Sequence, residues 1–147
     1  MRYNVPITVA LILTVAATST AAAGGTTDKR VPRRALRMQI AERNLLAGIR
    51  SENFGLRTSA ALQAGCLRSD RIVPALIEML KNDEDERARI VAALSLYRIG
   101  DPTGIRAVRH AARFDDSARV RKLCTLFYVE YLQNGPEGGR SLPASAE

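Results

Sequence analysis

Leu56-Arg57-Thr58-Ser59-Ala60-Ala61-Leu62 returns 32 residues later as Ala88-Arg89-Ile90-Val91-Ala92-Ala93-Leu94, and Val120-Arg121 opens a third copy on the same step. The offset persists outside those stretches. Ala75 matches Ala107 and Asp83 matches Asp115, while Leu67/Ile99, Val73/Ile105, Leu76/Val108 and Lys81/Arg113 match conservatively. A self-similarity of this length marks a solenoid, whose single unit cannot bury its own apolar face and becomes stable when the next unit stacks on it.

Outward from this step the chain reads as helices. Leu36, Ile40, Leu45, Leu46 and Ile49 recur at helical spacing from about residue 35 and suggest an opening helix that caps the stack. Ser51-Glu52-Asn53 supplies turn and cap residues for a second helix through Leu56, Ala60, Ala61 and Leu62. After a connection over 65–70, Ser69 or Asp70 is placed to cap a third helix with the stripe Val73, Leu76, Ile77 and Leu80. Asp83 to Glu86 opens a fourth, with Ile90, Ala93, Leu94 and Tyr97 inward, and Gly100 stops it. Asp101-Pro102 restarts the chain for a helix over about 103–113, and Asp115-Asp116-Ser117 begins the last, which ends near Asn134-Gly135-Pro136. No segment alternates with period two, so the fold class is all-α in about six helices.

The unit resembles HEAT-like repeats, the short kind also found in bilin-lyase-type proteins. Ala88-Arg89, Ala92-Ala93-Leu94, Gly100-Asp101, Ala107-Val108 and Asp115 carry the likeness, and Leu56-Arg57, Ala60-Ala61-Leu62, Ala75-Leu76 and Asp83 repeat it. The resemblance covers roughly residues 45–133. It implies a short right-handed α-solenoid of about two and a half helix pairs, serving as a binding surface more often than as an enzyme.

Composition narrows the partners. The chain has a formal charge of +7 and no Trp, with 5% aromatic residues, so its core must be built from Ala, Leu, Ile and Val. A basic protein meets acidic partners: nucleic acid, anionic lipid or polysaccharide, or an acidic protein. Met1-Arg2, the apolar run Val5 to Ala17 and the small residues Ser19 to Ala23 read as a signal peptide over 1–23, cut after Ala23 or Ala21, with an uncleaved membrane anchor as the other reading. Residues 24–34 then form a basic linker, 35–134 the repeat domain and 135–147 a disordered tail. Cleavage removes only Arg2 among the charges, so the mature protein stays basic and is expected in the periplasm or secreted.

Three groups of residues are candidates. Arg57, Arg89 and Arg121 with Asp83 and Asp115 suit a structural ladder of charge-assisted hydrogen bonds between units. At 100° per residue, Arg106, Arg109, His110 and Arg113 share one arc of the fifth helix, with Lys81 and Arg71 extending it. The resemblance implies that this arc lines the concave face; the bland reading is a solvated face that keeps the protein soluble. In the last helix Val120, Leu123, Cys124, Phe127, Tyr128 and Tyr131 form a broad apolar face, from which Phe127, Tyr128 and Tyr131 are the candidate interface for a partner or a second copy. Glu78 and His110 occupy equivalent positions in adjacent units and are the nearest approach to acid–base chemistry, although Glu78 balancing Arg106 or Arg109 is the plainer reading. Cys66 and Cys124 lie about two units apart, beyond disulfide reach, so both are expected as free and largely apolar thiols. There is no metal-ligand cluster, phosphate loop or nucleophile signature, and no cofactor is expected. The reading is a non-enzymatic binding module for an acidic protein, with self-assembly as the alternative; nucleic acid fits the charge but not an exported chain.

Overall fold

The computed structural model describes residues 32–135; the segment read above as signal peptide, most of the linker and the tail beyond Gly135 lie outside that range. Six helices follow in order: α1 (Arg33–Ile49), α2 (Phe54–Leu67), α3 (Val73–Asn82), α4 (Glu86–Ile99), α5 (Pro102–Phe114) and α6 (Ala118–Asn134). No strand occurs among the described residues. α2, α4 and α6 stack in one layer and α1, α3 and α5 in another, while each odd helix packs on the even helix that follows it. α2 with α3 and α4 with α5 make the two complete repeats, α6 starts a third, and α1 closes the opposite end. None of the six is long and apolar enough to cross a membrane.

Side-chain chemistry sets most of the helix ends. Asn53, Asp85, Asp101 and Ser117 accept hydrogen bonds from first-turn N–H groups of α2, α4, α5 and α6, satisfying donors that a helix leaves unpaired. At Asp85 the hydrogen-bonded Arg87 guanidinium, followed by the cap bond from Arg87 N–H, holds the carboxyl down to about 2. Gly100 leaves α4 at φ 76, whereas Arg68 makes the same exit from α2 at φ 54 with a side chain that disfavours it. Two starts differ from the sequence reading. α1 begins at Arg33, ahead of residue 35, because Pro32 stands at its cap with a φ already compatible with a helix. α3 receives no cap from Ser69 or Asp70; a 3-10 turn over Asp70–Ile72 precedes it, and the Ser69 hydroxyl donates to the Glu42 carboxylate on α1 instead.

Small residues bring α2 and α4 together. Ala61, Ala64, Ala88, Ala92 and Ala93 are fully buried, and a Cβ added at Gly65 would stand 2.8 Å from the Cα of Ser95. One step along, the equivalent positions hold aromatic rings: Tyr97 of α4 stacks on Phe127 of α6, with centroids 5.7 Å apart and planes 14° from parallel. The Tyr97 hydroxyl is buried without a hydrogen-bond partner, and burial pushes its pKa up. Tyr97→Phe keeps the stack and removes the orphan group, so the substitution is expected to raise stability by about 1 kcal/mol. Thermal melting checks this, and a lower midpoint would show that the hydroxyl is bonded in solution.

Both cysteines are free, but their settings differ. Cys124 is buried, and burial pushes its thiol up to about 12. Cys66 departs from the expected apolar setting: it is exposed, and its sulfur accepts from the Arg98 guanidinium at 3.6 Å. Iodoacetamide is therefore expected to label Cys66 alone in the native protein and Cys124 only after unfolding. Intact-mass spectrometry against time gives the answer, and equal rates at the two sites would contradict the burial.

Candidate functional site

The repeated arginines form the expected ladder. Arg57 of α2 donates through Nε and Nη2 to Asp83 at 2.6 and 3.2 Å, and Arg89 of α4 does the same to Asp115 at 3.0 and 3.0 Å. Their third nitrogen has separate work. Nη1 of Arg57 donates to the carbonyls of Ser51 and Glu52, and Nη1 of Arg89 to those of Asp83 and Glu84. Each guanidinium thus ties the loop ahead of its own helix to the loop ahead of the next even helix. The hydrogen bond to the aspartate is the main cause raising each arginine's pKa. Arg121 binds the carbonyls of Asp115 and Asp116 in the same way, at 2.6 and 3.0 Å. Its ladder partner is not among the described residues.

The polar arc of α5 stands where the spacing puts it. Ile105, Val108 and Ala111 are buried against the neighbouring helices, and Arg106, Arg109, His110 and Arg113 are exposed. A shallow groove between α3 and α5 is lined by Ile77, Lys81, Thr103, Arg106, Ala107 and His110, with no carboxylate among them. Lys81, Arg106 and His110 are therefore brought together. Nη2 of Arg106 donates to the Thr103 hydroxyl at 3.0 Å, which steadies the side chain without neutralising it. Further along α5 the surroundings change sign: Asp83, Glu84, Asp115 and Asp116 border the neighbouring recess that Lys81, His110 and Phe114 also line. The ladder occupies Asp83 and Asp115 there, leaving Glu84 and Asp116 as the outward acids.

Other candidates are placed elsewhere. Arg71 does not join Lys81; it pairs with Glu42 at 3.4 Å beside α1, because the 3-10 turn carries it to the other end of α3. Arg109 leans towards α6, with its guanidinium carbon 5.8 Å from the Tyr128 ring centroid. Glu78 lines a separate recess with Arg50, Arg57 and Asp83, while the His110 ring lies against Phe114 at 4.9 Å. The carboxylate–imidazole pair considered above is not assembled, nor does Glu78 pair with Arg106 or Arg109. Among the described residues no three His, Cys, Asp or Glu side chains gather to hold a metal ion.

The apolar face of α6 is corrected by the packing. Phe127 is stacked on Tyr97, Tyr128 is half-buried beneath Arg109, and Tyr131 is half-buried on the same side. These rings face inward because α6 must cover both α4 and α5. The open apolar side chains are Leu126, Val129 and Leu132, at 55%, 41% and 62% exposure. These three lie off the stripe that contains Phe127, Tyr128 and Tyr131, and only the position of the neighbours shows which stripe is the free one.

A family model of HEAT repeats matches residues 42–126, more than half of the chain. Among curated proteins and solved structures, no match to this chain is found.

Proposed function

Because the chain belongs to the HEAT-repeat family, whose members generally mediate protein–protein interaction or scaffolding and are typically not enzymes, we propose that it is a non-enzymatic binding module that takes an acidic protein surface along α5. The contacts are Arg106, Arg109, His110 and Arg113, with Lys81 from α3 across the groove. The family resemblance supports reading this as the concave side. The observation that carries the reading is the α3–α5 groove, where Lys81, Arg106 and His110 converge and no carboxylate is part of the lining, the nearest acids lying in the adjoining recess. Such a cationic surface concentrates acidic partners and speeds encounter, most strongly at low salt. Location belongs to the same reading: the run from Met1 to Ala23 has the pattern of an export signal, which supports the envelope or secreted space and disfavours nucleic acid as the partner.

The test is a triple charge reversal, Arg106→Glu, Arg109→Glu and Arg113→Glu, with affinity capture from the envelope fraction followed by binding measurements on the recovered partner. All three residues are exposed, so helicity is expected to stay unchanged while affinity falls by about a hundredfold or more, as three like-charge contacts replace attractive ones. Equal affinity of the helical variant and the wild type refutes the assignment. N-terminal sequencing of the mature chain tests the location, and an intact Met1 in a cytoplasmic fraction rejects it.

A further inference from the structure

The two ends of the arginine ladder are finished differently. Ahead of α2, where no ladder arginine precedes, the register position is Ser51, whose hydroxyl oxygen accepts from Asn53 N–H at 3.2 Å. Asp83 Oδ1 makes the same turn with Asp85 N–H, and Asp115 Oδ1 with Ser117 N–H. The turn-forming oxygen is thus kept at the α1 end and the charge is dropped. At the α6 end the charge is kept. Nη1 of Arg121 holds its loop, while the Nε–Nη2 edge, which at both earlier steps grips an aspartate, has no partner among the described residues.

The helix surface beside that edge is open in the same register. Ala61 and Ala93 have no exposure, Gly65 is buried and Tyr97 is 1% exposed; Gly65 meets Ser95 of the next even helix, and Tyr97 meets Phe127. The equivalents on α6 are Thr125 and Val129, both exposed, and Leu126 and Leu132 extend the patch.

From this we infer that the α6 end of the stack is a docking site for a helical hairpin of another protein, one carrying an aspartate in the loop ahead of its docking helix. The carboxylate closes on Nε and Nη2 of Arg121, and the helix covers Thr125 and Val129. Both internal steps specify this chemistry, since each pairs the arginine fork with an aspartate at 2.6 to 3.2 Å and lays a helix over the same two positions. A second copy stacked head to tail is a poorer match, because it offers Ser51 where the carboxylate is needed. The site lies on a different helix from the α5 contacts, so it stands or falls independently of them.

The probe is a synthetic hairpin copying residues 102–134, which presents Asp115 ahead of its second helix, titrated against the full chain by fluorescence anisotropy. Saturable binding is expected, weakened about tenfold or more by Asp115→Asn in the hairpin or by Arg121→Gln in the protein, with no further loss when both are changed. Val129→Glu, at an exposed position, should weaken it comparably. Affinity unchanged by Arg121→Gln and Val129→Glu overturns the proposal. So does binding that appears only after residues 136–147 are removed, which assigns the edge to the chain's own tail. Concentration-dependent dimers abolished by Val129→Glu assign it to a second copy and overturn it too. An isolated hairpin can fail to hold its shape, so a copy of residues 103–134 joined directly after Asn134 gives a second reading, placing the copied aspartate 26 residues beyond Arg121. Its change to Asn should lower the thermal midpoint by about 5 °C, and an unchanged midpoint there, with no binding in trans, also rejects the inference.

Discussion

Arg89→Ala is expected to lower stability by about 3–5 kcal/mol, the range for breaking a largely buried ion pair from one side. The Arg89 and Asp115 side chains are only 13% and 8% exposed, so the alanine variant leaves a carboxylate with little water to replace the guanidinium. It also frees the Asp83 and Glu84 carbonyls that Nη1 holds. Arg121→Ala is the internal control. That arginine binds its own loop but no aspartate among the described residues, so its loss should cost about 1.5–3 kcal/mol, as expected for hydrogen bonds from a charged donor. Urea unfolding of the two variants, with Asp115→Ala and Arg89→Ala/Asp115→Ala completing a double-mutant cycle, separates loop capping from the ion pair. Equal losses at Arg89 and Arg121 would show that the aspartate contributes nothing net.

Gly65→Ala is the second large effect, with a net loss of about 2 kcal/mol from overpacking, even though alanine is the better helix former by about 1 kcal/mol. The new Cβ would lie 2.8 Å from a backbone atom of Ser95, so α2 and α4 must move apart along their whole contact. Gly104→Ala is the contrast. Its Cβ would press closest on the Cδ2 of Leu96, at 2.9 Å, with the Cβ and Cγ of that leucine at 3.5 and 3.7 Å, and the end of a flexible side chain yields more easily than a helix backbone. The Gly104 variant should unfold within about 1 kcal/mol of wild type. If the two variants prove equally stable, close backbone approach is not what Gly65 provides.

These two expectations show which parts of the molecule its one-dimensional order reveals. Arg57, Arg89, Asp83 and Asp115 were legible as a ladder because polar residues that recur at a fixed step in an apolar repeat must meet recurring surroundings. The cap at Asp101 and the proline after it were legible for a related reason, since both act within one turn of the chain. What escaped depends on neighbours distant in sequence. Nothing in the order of residues says that Ser69 will turn to Glu42, that Ser117 will donate to Glu86, or that Arg71 will leave the basic arc for α1. The α6 face shows the same limit. A seventeen-residue helix with apolar residues on more than one side can bury either stripe, and Tyr97 and the underside of α5 decide that Phe127 and Tyr128 go in while Val129 stays out. For the candidate site, periodicity sufficed to place Arg106, Arg109, His110 and Arg113 on one exposed arc. The groove that adds Lys81 became visible only with α3 alongside.

A guanidinium that latches its own loop and reaches forward to the next gives this array an end that looks the same wherever it is cut. Without α5 and α6, Arg89 would be left as Arg121 is among the described residues, holding one loop with no aspartate ahead of it. Such a chain can be lengthened or shortened by whole 32-residue blocks through gene duplication or loss, each change leaving a terminus of familiar chemistry rather than a fresh defect to repair.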